Sequence, residues 1–155
     1  VRAETSAEVL SNWDAIKKQE KGQATYTQTL QSVPRTLPAL MRSEKVQGRA
    51  AKAGFDYPDV SSAMKDLRSE VDELSEALAG GDSEAIADEL GDVLFSAANV
   101  ARFTSIDSEQ ALGCSCDKFV GRFEKVERLA ASRGVDMHLA GLDVLDKLWR
   151  EAKND

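Results

Sequence analysis

Two apolar stripes flank the short turn Gly80, Gly81, Asp82, and they restrict the fold more than any other feature of the chain. Before the turn, Val60, Met64, Leu67, Val71, Leu74 and Leu78 recur at intervals of four and three; after it, Ile86, Leu90, Val93, Ala97 and Val100 do the same. That period places each set on one side of an α-helix and does not fit the alternation of a strand. Two such helices joined by so short a connection fold back antiparallel, stripe against stripe. Asp59 is expected to cap the first helix and Ser83 the second.

Proline and glycine punctuation extends the helical reading to the rest of the chain. Pro34, Pro38 and Pro58 all lie in the first part, and no segment reads as a strand. Ser6 to Glu20 is predicted as a short helix carrying Trp13 and Ile16, and the polar run Lys21 to Ser32 as a linker. The folded core is expected to begin near Thr36, giving a leader over 1–35 and one domain over 36–155. A helix with Pro38 in its first turn runs to about Ala53 and stops at Gly54. Another runs from Ser108 to about Ser132, with Leu112, Phe119, Phe123, Val126 and Leu129 as its apolar side, and a last one covers Leu142 to Lys153. The expected fold class is all-α, a bundle of five to six helices.

Composition narrows the partners. With 155 residues, 42% of them hydrophobic, the chain has enough apolar material for one compact domain. Lysine and arginine total 20 against 27 acids, and a net charge of -7 argues against gripping a nucleic-acid backbone. No stretch approaches the roughly 20 apolar residues of a membrane span, and no secretory signal is visible at the start. Cys114 and Cys116 would point about 200° apart on a helix, so reduced thiols and a cytoplasmic location are expected.

Carboxylates bring chemistry to the helical hairpin. Glu70 with Glu73 and Glu89 with Asp92 are each three apart, so each pair shares a helix face, and both pairs lie roughly 11 to 17 Å from the turn. The hairpin therefore sets the four acids level with one another. Beside an apolar seam they repel and lose hydration, a conflict that a hard divalent cation resolves: Mg²⁺, or Mn²⁺ as the alternative. Four of 27 acids on solvated helix faces would give the same spacing, and spacing alone leaves both readings open. A di-iron bundle needs Glu-x-x-His pairs, whereas the single histidine, His138, sits in a predicted turn. Gly80 and Gly81 lack the Gly-Lys-Ser/Thr ending of a phosphate loop.

Several ordered segments together resemble one family. KVQGRAAKAGFDYPD at Lys45 to Asp59, EVDE at Glu70 to Glu73 and ELGDVLF at Glu89 to Phe95 are similar to the MazG nucleoside triphosphate pyrophosphohydrolases, as are VPRTLPAL from Val33, KFVGRFEKVE from Lys118 and LWREAK from Leu148. The resemblance implies an all-helical fold, an intertwined homodimer or higher assembly, and hydrolysis of a nucleoside triphosphate to monophosphate and pyrophosphate. It implies that Glu70, Glu73, Glu89 and Asp92 are the metal ligands and catalytic residues. NWDAIKKQEK from Asn12 looks like the segment joining two tandem MazG domains, which implies a C-terminal half. Two positions depart from the family pattern. Ser69 stands where a glutamate is usual, and Asp66 where a basic residue is common.

Substrate contacts are expected on the later helices. Lys118, Arg122 and Lys125 recur at four and three along one face, a like-charge arrangement that a nearby anion would relieve; interleaved acids also allow an ordinary solvated face. The resemblance of KFVGR to a substrate-contacting segment selects Lys118 and Arg122 for substrate binding. Trp149 and Lys153 lie one turn apart, suited to a base and a phosphate, although a tryptophan in an apolar pattern equally suits a core. Lys45 and Gln47 are candidates for base recognition. Glu73 is the first candidate to accept a proton from the attacking water. The competing reading is a catalytically weak helical module that senses nucleotides or drives dimerisation.

Overall fold

The computed structural model describes residues 25–154, which among them form six helices and connecting turns with no strand. They are α1 (Tyr26–Gln31), α2 (Ala39–Lys52), α3 (Val60–Gly80), α4 (Ser83–Phe103), α5 (Ser108–Ser132) and α6 (Leu142–Asn154). The all-α expectation holds. The helix expected over Ser6 to Glu20 lies outside the described residues.

Local hydrogen bonds account for the places where boundaries differ from expectation. α1 falls inside the segment read as linker because Thr25 and Gln28 form a capping box: Gln28 N–H donates to Thr25 Oγ1 at 3.1 Å, and Thr25 N–H to Gln28 Oε1 at 3.1 Å. Val33, directly after it, is 2% exposed, so packed structure starts before Thr36. Pro38 takes the N-cap position of α2 rather than its first turn. Asp59 caps α3 as expected, accepting from Ser62 N–H at 2.7 Å.

At the hairpin turn, Gly81 adopts φ +74° and its N–H reaches Ala77 O at 3.0 Å, a left-handed C-cap that a residue with a Cβ would adopt under strain. Asp82, not Ser83, then caps α4, accepting from Glu84 N–H at 3.0 Å. The carboxylate leaving the glycine turn reaches the first free amides of the helix, and Ser83 becomes the first helical residue.

Two compact units result, one up to Ser108 and one from Glu109. In the first, α3 and α4 pack along each other, α2 lies on α4, and α1 lies on α2. In the second, α5 and α6 bury Val126, Ala130, Leu148 and Ala152, with Leu129, Leu145 and Trp149 packed against them. The hairpin's apolar stripes are only partly used: Val71 and Leu78 of α3 and Leu90 of α4 stay exposed, as does Leu94 beside the second stripe.

Candidate active site

The hairpin carries its carboxylates into one cluster. Glu70 and Glu73 of α3 and Glu89 of α4 each place an oxygen such that the three atoms lie within 4.8 Å of one another. Glu73 is exposed, and Glu70 and Glu89 are half-buried. Asp92, one turn further along α4, stands outside this triplet, and its charge still acts on both Glu70 and Glu89. Ser69, at the first departure from the family pattern, donates its hydroxyl to Glu73 Oε1 at 3.2 Å.

Electrostatics follow from that crowding. Glu70 is raised above the ordinary carboxylate range, first by loss of hydration and then by the charges of Glu73, Asp66, Asp92 and Glu89. Glu89 is raised likewise, by loss of hydration and then by Glu73, Asp92 and Asp88. Three oxygen donors on two rigid helices, each unfavourable as an anion beside the others, form a donor set that fits a hard divalent cation.

A pH dependence follows. The ordinary glutamate pKa is about 4.3. Above it, and up to the raised values of Glu70 and Glu89, the folded chain holds protons that the unfolded chain has released. Stability therefore falls as pH rises through that window, and the penalty is complete once both groups ionise. The melting temperature of metal-free protein is expected to fall over this window relative to that of Glu70→Gln, since subtraction removes depressed acids such as Asp59 and Glu151. Added Mg²⁺ is expected to flatten or reverse the difference. Identical pH profiles for the two proteins, with and without Mg²⁺, would contradict the repulsion.

Next to the cluster lies a cavity of about 470 Å³. Val46, Phe55 and Phe95 give it apolar walls, while Gln47, Asp66, Ser96 and Asn99, together with Asp56, Tyr57 and Arg102, bring polar groups to it. Asp66, at the second departure from the family pattern, is clamped from two sides: Tyr57 OH donates to Oδ1 at 2.6 Å and Ser96 Oγ to Oδ2 at 2.7 Å. The first of these bonds leads the causes that push the Tyr57 phenol up to about 12, so it stays a donor at neutral pH. Asn99 Oδ1 accepts from Arg102 at 2.8 and 3.0 Å, and Arg102 is paired in turn with Asp56.

Tyr57, Ser96 and Asn99 were not singled out from the sequence. A signal exists, because Glu89, Asp92, Ser96 and Asn99 recur at three, four and three along α4, and Asp66, Glu70 and Glu73 at four and three along α3. Each carboxylate face thus continues as a polar stripe into the cavity wall.

The other candidates are distributed differently. Lys45 is exposed on α2, and Gln47 is buried in the cavity wall. Lys118, Arg122, Trp149 and Lys153 all belong to the second unit. There Arg122 lies over the Trp149 ring at 4.8 Å, and Phe119 approaches the same indole at 5.0 Å. Trp149 is at once part of the α5–α6 packing and the platform for a guanidinium. Lys118 and Lys153 are exposed.

Comparison with known proteins gives these positions a context. Residues 59–127 match the MazG nucleotide pyrophosphohydrolase domain, a span that includes all four carboxylates, Lys118 and Arg122. Over 97% of its length the chain is 37% identical to the nucleoside triphosphate pyrophosphohydrolase of Escherichia coli strain K12, of which it covers 58%. It is 36% identical, over 91% of its length, to a Thermotoga maritima protein named nucleoside triphosphate pyrophosphohydrolase/pyrophosphatase MazG, and covers 54% of it. The Bacillus subtilis protein YabN is 42% identical across 99% of the chain, which spans 31% of that protein. The chain thus spans a little over half the length of the first two relatives.

Proposed function

From the chain's membership of the MazG family, we propose that it hydrolyses nucleoside or deoxynucleoside triphosphates to the monophosphate and pyrophosphate. The observation that carries this reading is the convergence of Glu70, Glu73 and Glu89 across the α3–α4 hairpin. Acids held together against their mutual repulsion are costly in a protein that makes no use of a cation.

In this reading Glu70, Glu73, Glu89 and Asp92 hold Mg²⁺, with Mn²⁺ as an alternative. When bound, the ion neutralises charge on the triphosphate and increases the acidity of water. The chain's own residues do the rest. Glu73, its Oε1 held by the Ser69 hydroxyl, accepts the proton of a water attacking the α-phosphorus. The bond from the α-phosphorus to the bridging oxygen then breaks, and pyrophosphate leaves. The serine supplies a hydrogen bond where the family has a further carboxylate, so Glu73 keeps an orienting partner. Lys118, Arg122, Trp149, Lys153 and Lys45 are the proposed substrate-binding residues.

A homodimer or larger homo-oligomer is proposed from the unused apolar faces, Leu90 and Leu94 on α4 and Phe119 and Val120 on α5. Among the described residues no helix is long and apolar enough to cross a membrane. The cytoplasm, where triphosphates and Mg²⁺ are abundant, is the proposed place of action.

Pyrophosphate release from a panel of ribo- and deoxyribonucleoside triphosphates, with Mg²⁺ and with chelator, tests the proposal. Release that needs the ion supports it. A folded protein that binds triphosphate and releases no pyrophosphate from any of them would be the nucleotide-sensing or dimerisation module instead.

A further inference from the structure

We propose that the cavity beside the carboxylate cluster holds the nucleobase, and that Asp66 selects a base edge carrying two adjacent N–H donors, the edge that guanine presents. The inference rests on reading the cluster as the phosphate end of a nucleotide site. Asp66 precedes Glu70 by one helical turn, a rise of roughly 6 Å along α3. A ligand with its phosphates at Glu70 therefore has its base within reach of the cavity.

The cavity is built for a flat, mostly apolar ligand with a polar edge. Phe55 and Phe95 supply aromatic surface on its walls, and its volume of about 470 Å³ accommodates a base with its sugar. The hydrogen-bonding capacity left open on Asp66 and Gln47 is that of acceptors. A carboxylate offers about four acceptor positions. On Asp66, Tyr57 takes one position on Oδ1 and Ser96 one on Oδ2, which leaves each oxygen able to accept once more. The two hydroxyls also fix the carboxylate's orientation, as a recognition group requires. Gln47 adds a second, independent sign. It is 7% exposed, it spends its Nε2 on Phe95 O at 2.8 Å, and its Oε1 has no hydrogen-bond partner. The donors on the wall are engaged within the protein, Tyr57 and Ser96 on Asp66 and Arg102 on Asn99 and Asp56, so a ligand that brings paired N–H groups meets acceptors still open on Asp66 and Gln47.

Guanosine and inosine differ only in the 2-amino group, so they isolate the second donor. Both nucleosides, free of phosphate, are titrated into the full chain without Mg²⁺ and followed by NMR. Guanosine is expected to bind about tenfold or more tighter than inosine, the discrimination ordinary for a paired hydrogen-bond contact to a base. Asp66→Asn, of the same shape, is expected to bring the two within about twofold. Equal binding to the unaltered protein, a comparison that needs no variant, overturns the proposal, as does a preference that survives Asp66→Asn. If guanosine fails to bind while Mg²⁺-dependent pyrophosphate release is intact, the base assignment falls alone. If the Asp66-dependent preference is present and no triphosphate is hydrolysed, the base assignment stands and the hydrolytic reading falls.

Discussion

Glu70→Gln and Glu89→Gln should each lower turnover by about a hundredfold or more, the scale on which a single charge-stabilising group acts at a reacting centre. Divalent-metal affinity should fall by at least the roughly 10- to 100-fold that loss of a mere supporting group costs. The same substitutions should make the metal-free protein more resistant to heat. Both glutamates are raised by lost hydration and by neighbouring acids, so a neutral amide of equal shape relieves the folded state of an unfavourable charge. Loss of activity joined to a gain in stability distinguishes a functional carboxylate from a structural one, which would lose both. Calorimetric metal titration, turnover and melting of the two variants provide the comparison. Unchanged metal affinity and turnover would remove the cluster from the mechanism.

Leu148→Ala should have the largest effect on folding of any single truncation in the second unit. Leu148 is 3% exposed and packs with Val126, Ala130 and Ala152, with Leu129, Val135, Met137, Leu145 and Trp149 set against them. Ala130 and Ala152 are too short to extend into the space left behind, so any filling must come from the larger, partly exposed residues around them. Buried leucine-to-alanine changes cost about 2–5 kcal/mol, and this site belongs in that range. Denaturant unfolding of the full chain, read from the fluorescence of Trp149 as well as from helicity, should show the loss. A loss of under about 1 kcal/mol would mean that α5 and α6 owe little to this core.

The helices and the carboxylate pairs were legible because both are local patterns. Intervals of three and four within one segment define a helix face, and a tight turn between two such segments sets their faces level. Where short polar side chains decide, the reading fails by a few residues. Thr25 and Gln28 wind a short helix in a segment that composition marks as linker, and Asp82 rather than Ser83 caps α4. Gln47 stood out as a candidate for base recognition, but the cavity as an enclosure was not legible, since Gln47 meets the carbonyl of Phe95 across 48 positions and Ser96 meets Asp66 across 30. Asp66 stood out only as an exception to a family pattern. Its partners, Tyr57 and Ser96, explain why an acid rather than a base is tolerated there: two hydroxyls hold it in place.

Hydrolysis of a nucleoside triphosphate in ¹⁸O-labelled water with Mg²⁺ identifies which phosphorus the water attacks. Monophosphate and pyrophosphate in equal amounts, with the label in the monophosphate alone, are the result expected for attack at the α-phosphorus by a water that the carboxylate cluster activates. Label in pyrophosphate, release of orthophosphate, or no products from a folded and nucleotide-bound protein would contradict it.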